Sequence, residues 1–165
     1  MFKRFFKAEP DDSGSADVLK SCMDDIASEL KVAFETQYGW GADENTKRLE
    51  SLLLSKFIID HALISTFCDR ISKKSLKNLN TILDTIFEAA LKDVSPDTPP
   101  DEYLDKFREY SVMLRQNNSP KCWQLIAGRC LGIDLVEEAP TIQNFPKILP
   151  ELFIKARETL KEIIK

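Results

Sequence analysis

The chain is expected to be all-α, a compact and mostly antiparallel bundle of five to six helices with a long central second helix. Three observations predict this. Apolar residues recur every three or four positions along most of the chain, the period of one helix face. No run of four to eight residues alternates apolar and polar with β-branched enrichment and turn flanks, so strands are not expected. The breaks between periodic segments carry helix punctuation, with proline at starts and glycine at ends. A length of 165 residues suits one domain, and 43% apolar with 30% charged residues is an ordinary globular mixture.

Residues 1–7, MFKRFFK, form a basic-aromatic segment. Residues 8–17, AEPDDSGSAD, are acidic, small and turn-prone, the composition of a flexible linker. Residues 18–165 read as a single helical domain. Its first stripe is Leu19, Cys22, Met23, Ile26, Leu30, Ala33 and Phe34, starting near Ser15 and ending at Gly39, a natural left-handed cap. The second helix runs from about Glu44 to Ser72. One side carries Leu49, Leu53, Phe57, Ile64, Cys68 and Ile71, and the other carries Leu52, Ile59, Leu63 and Phe67. A helix apolar nearly all round packs on several faces, which places this one in the middle.

The third helix, from about Ser75 to Asp93, keeps Leu76, Leu79, Leu83, Ile86, Phe87, Ala90 and Leu91 on one face. Pro96, Pro99 and Pro100 break the pattern. They also open a fourth helix, with Thr98 as cap and Asp101 and Glu102 at its positive end. Tyr103, Leu104, Phe107, Tyr110 and Leu114 follow, up to Asn117-Asn118. Ser119-Pro120 begins a fifth helix that ends at Gly132. Residues 133–145 are irregular. A last helix carries Leu149, Leu152, Phe153, Ala156, Leu160, Ile163 and Ile164, with Pro146 or Pro150 in its first turn.

The catalytic inventory is poor, and the chain is not expected to be an enzyme. Gly14, Gly39, Gly41, Gly128 and Gly132 make neither a dinucleotide-binding fingerprint nor a P-loop. A single histidine, His61, excludes helical di-iron sites and zincins. It shares a face with Phe57, Ile64 and Cys68, and a neutral core histidine is expected. The four cysteines (Cys22, Cys68, Cys122 and Cys130) have no metal-knuckle spacing and are expected as reduced core thiols. Cys122, in the first turn of the fifth helix, is the best placed to be reactive. No metal or cofactor is expected.

A net charge of −4 argues against nucleic acid. Gly128 to Ile133 looks faintly like a helix-turn-helix turn, but acidic Asp134, Glu137 and Glu138 follow it, and phosphates would repel them. The basic start runs straight into AEPDD without the apolar run of a secretory signal, so a cytosolic location is expected.

Three features are candidates for binding a partner. In the first segment, Phe2, Phe5 and Phe6 lie on one helical side, and Lys3, Arg4 and Lys7 lean to the other. Such a segment suits an acidic groove or, weakly, an anionic membrane surface. Trp40, between two glycines, is either an exposed anchor or a cap on the bundle end. Arg70, Lys73, Lys74 and Lys77 form a basic run where the second helix meets the third. Cations that complement the negative end of the second helix give the simplest account of it. The expected function is a small non-catalytic module that binds another protein, as an adaptor, chaperone-like factor or inhibitor. One alternative is a bundle holding a small apolar ligand or cofactor near His61, Cys68, Tyr103 and Tyr110. Another is a peripheral membrane protein tethered by residues 1–7.

Overall fold

Four helices hold the described residues: α1 (Asp12–Tyr38), α2 (Glu44–Phe67), α3 (Lys73–Val94) and α4 (Phe145–Ile163). The computed structural model describes residues 12–38, 43–97, 99, 101–103, 105, 108, 112 and 145–164. These residues are mostly helical and form no strand, as the sequence predicts. Asp101–Tyr103, Asp105, Arg108 and Val112 are also helical, within the expected fourth helix. The expected fifth helix lies outside the described residues.

α1 buries Leu19, Cys22, Met23, Ile26, Leu30 and Ala33, the stripe read from the sequence. Its start differs. Residues 12–17, read as part of the linker, are the first turns of α1. Ser15 is buried there. Packing thus holds a composition that otherwise favours loops.

α2 begins at a cap. The Asp43 carboxylate accepts the Thr46 backbone N–H at 3.0 Å and the Thr46 hydroxyl at 2.6 Å. Every residue from Glu50 to Ile59 is then buried, because α2 packs against α1, α3 and α4. The helix ends at Phe67, short of Ser72. Its last turn closes with the N–H groups of Arg70 and Ile71, which both donate to the Phe67 carbonyl. Ser72 instead caps α3, its Oγ accepting the Ser75 N–H at 3.0 Å. A serine that caps the next helix cannot extend the previous one.

α3 is one-sided. Ser75, Leu79, Leu83, Phe87 and Leu91 are buried, and Leu76, Ile86 and Ala90 pack partly buried beside the core. α4 contributes Leu152, Ala156, Leu160 and Ile163. Pro146 is in its first turn, and Pro150 lies inside the helix, where the missing N–H removes one backbone bond. Tyr103 is buried in the same core. Ion pairs of Lys31 with Glu44, and of Lys47 with Glu35 at 3.3 Å, join the end of α1 to the start of α2. Lys155 of α4 pairs with Glu29 and, at 3.8 Å, with Asp25 of α1.

Burial separates the two kinds of isoleucine on α2. Ile58 is fully enclosed, whereas Ile64 is 48% exposed. Ile58→Ala is expected to lower unfolding stability by about 2–5 kcal/mol through lost transfer energy and a cavity. Ile64→Ala is expected to change it by no more than about 0.5 kcal/mol. Urea unfolding of both variants checks the contrast.

Candidate functional site

The α2–α3 corner gathers four cations. Arg70, Lys73, Lys74 and Lys77 are all exposed. The position of the helix break corrects the simple account of them. Only Arg70 follows the end of α2. Lys73 and Lys74 are the first residues of α3, whose first turn contains no acid. The N-terminal end of a helix is its positive end, so these lysines work against the dipole. Among the described residues, none of the four cations makes an ion pair. Asp69, their nearest acidic neighbour in sequence, is exposed and makes none with them.

Lys56 shows how the same fold treats a cation that it needs structurally. Its ammonium is buried, 2.7 Å from Asp60 and 3.0 Å from Asp84, and 5.6 Å above the centre of the Phe87 ring. Burial alone would lower the Lys56 pKa. The Asp60 and Asp84 carboxylates outweigh it and hold the amine above its ordinary value. Burial pushes the Asp60 carboxyl up, with Lys56 opposing. The sequence reading missed this cluster. Its signal is Lys56 and Asp60 one turn apart inside a largely apolar stretch of the helix.

His61 is not a core residue. It is exposed, and so are its stripe neighbours Ile64 and Cys68. The buried face of α2 passes through Ala62, Leu63 and Phe67 instead, which turns the 57–61–64–68 line outward after Phe57. The imidazole stacks on Phe57 at 6.1 Å and meets the edge of Phe153 at 5.1 Å. With Ser65, Thr66 and Arg157 it lines a surface hollow of about 250 Å³ between α2 and α4. Tyr103 is in the core, Cys68 is at the end of α2, and Tyr110 lies outside the described residues. His61, Cys68 and Tyr103 therefore do not meet around one interior cavity.

Cys22 is the core thiol expected, and burial pushes its pKa up, with a hydrogen bond from Thr159 opposing. Cys68 is exposed, which corrects its placement in the core. Cys122, Cys130, Trp40 and residues 1–7 (Phe2, Lys3, Arg4, Phe5, Phe6 and Lys7) lie outside the described residues. Among the described residues, no group of three His, Cys, Asp or Glu side chains is placed to hold a metal ion. No described helix is long and apolar enough to cross a membrane. A larger groove between α1, α2 and α3, lined in part by Arg48 and Ser51, was also missed by the sequence reading. No protein family, curated protein or solved structure matches this chain.

The aromatic packing of His61 has a consequence for pH. Partial burial holds the imidazole below its ordinary value of 6.5, so the folded state prefers the neutral ring. Stability from this group is fully present above that value and falls as pH drops through it toward the folded pKa. Acidification from pH 7.5 to 5.5 is expected to lower the urea midpoint more in the native protein than in His61→Phe. Equal drops in both would show that the ring does not contribute.

Proposed function

We propose that the protein is a non-catalytic, cytosolic protein-binding module that uses Arg70, Lys73, Lys74 and Lys77 to hold an acidic segment of a partner protein. The carrying observation is the two lysines opening α3, which have no ion pair among the described residues and whose charge opposes the helix dipole. An arrangement that costs stability while remaining exposed is accounted for by a binding partner. An acidic segment would satisfy both the side-chain cations and the positive helix end at once. The helices would serve as the scaffold, a mostly antiparallel bundle of five to six helices. The end-to-start ion pairs between α1 and α2 support that arrangement. The basic-aromatic residues 1–7 would add a second, sequence-remote contact for the same acidic partner.

The probe is a fluorescein-labelled decaglutamate peptide, followed by anisotropy at low and physiological salt. Lys73→Glu/Lys74→Glu is expected to weaken binding by roughly tenfold or more and to raise the melting temperature, because acids suit that helix end. Lys92→Glu, which reverses an exposed cation in the last turn of α3, is the control and should leave binding within about twofold. Binding unchanged by the double reversal would overturn the proposal. So would an equal loss in the control.

A further inference from the structure

The groove between α1, α2 and α3 has a volume of about 540 Å³, within the range of small-molecule sites. Small residues keep it open. Ala27 and Ser28 of α1 face it from one side, and Ala89 and Ala90 of α3 from another. Leu52 and Ile86 make the rest of the wall apolar.

Ser51 lines this groove at 2% exposure. Its hydroxyl is the one buried side-chain oxygen or nitrogen among the described residues that has no hydrogen-bond partner. Such a group costs stability, because it has lost water and gained nothing. The helix itself offers a remedy that Ser51 does not use. Ser55, one turn further and equally buried, donates to the Leu52 carbonyl at 2.8 Å. Arg48 lies one turn before Ser51 on the same side of α2 and also lines the groove. It is exposed and makes no ion pair among the described residues, although its charge acts on Glu44 one turn back. The other cations on the lining each have an acid: Lys20 pairs with Asp24 at 2.5 Å, and Lys31 pairs with Glu44.

The groove therefore combines an apolar wall, one buried hydroxyl without a partner among the described residues, and one guanidinium at the rim without an ion pair among them. We infer that it binds a small monocarboxylate with an apolar body, such as a medium-chain fatty acid. The hydrocarbon lies along Leu52, Ile86 and Ala89, and the carboxylate accepts from the Arg48 guanidinium and, once the Ser51 side chain turns toward the groove, from its hydroxyl. One cation without an ion pair among the described residues, with Asp24 and Asp93 also on the lining, suits a monoanion and disfavours a phosphate dianion. This site is separate from the basic corner, so either proposal stands or falls without the other.

The test is a titration of the full chain, labelled with ¹⁵N, with sodium decanoate and with 1-decanol below their aggregation limits. Decanoate is expected to give saturable shifts of the Ala27, Ser51 and Ala89 amides, and decanol to bind roughly tenfold more weakly. Arg48→Gln, at an exposed position where folding is not at risk, should weaken decanoate roughly tenfold and leave decanol unchanged. Ser51→Ala should weaken decanoate by about fivefold. Ala89→Phe should abolish binding of both by filling the groove. The proposal is overturned if decanoate gives no saturable shift at these amides. Equal affinity for decanoate and decanol would overturn it too, as would an Arg48→Gln variant that binds decanoate like the native protein. Nuclear Overhauser contacts from the Ala89 methyl to another segment of the chain occupying the groove would have the same effect.

Discussion

A lysine buried in the most enclosed stretch of α2 constrains the rest of the molecule. Lys56 falls within the run from Glu50 to Ile59, all of it buried. Its charge has to be met inside the protein, because leaving a buried charge unpaired costs several kcal/mol. Asp60 meets it from the same helix, one turn on. Asp84 and the Phe87 ring meet it from α3. Hydrophobic contact alone is tolerant of sliding and rotation, whereas this cluster is directional. It sets how α3 lies on α2.

Both proposed surfaces depend on that placement. The start of α3 carries Lys73, Lys74 and Lys77, beside Arg70 at the end of α2. The far half of α3 carries Ala89 and Ala90, the small residues that hold the groove open against α1 and α2. The fold thus uses its cations in two ways. Lys56 is buried, doubly paired and structural. Of the corner cations, none ion-paired among the described residues, Lys73 and Lys74 stand exposed at a helix end that repels them. Arg48 is likewise exposed and without an ion pair among the described residues, and it lies one turn before Ser51, whose hydroxyl has no partner among them.

Much of the scaffold was legible in the sequence. A 3.6-residue period is a property of single helices, so the stripes of α1, α3 and α4 could be read directly from the spacing. The central place of α2 followed from apolar residues on nearly every side of it. Boundaries were less legible because caps decide them. Ser72 looked like the end of one helix and proved to be the start of the next. Asp12 to Asp17 had linker composition, yet Ser15 found a buried place. The outward turn of α2 at His61 was hidden for a related reason. A stripe of i, i+3 and i+4 residues on a helix packed on several sides does not say which neighbour stops first. The Lys56–Asp60 half of the cluster has an i, i+4 signal, but the Asp84 and Phe87 contacts and the groove were beyond sequence reasoning, since they depend on which residues of separate helices face each other.

The most direct test of this account is a double-mutant cycle across the α2–α3 contact, with Lys56→Met and Asp84→Asn measured singly and together by urea unfolding. Asp84 is partly open to solvent, with its side chain 57% exposed, so a coupling energy near the lower part of the range of about 0.5–3 kcal/mol is expected. Coupling of that size, with the pair favourable, is the predicted result. Effects that simply add, within about 0.3–0.5 kcal/mol, would contradict the claim that this ion cluster seats α3 on α2.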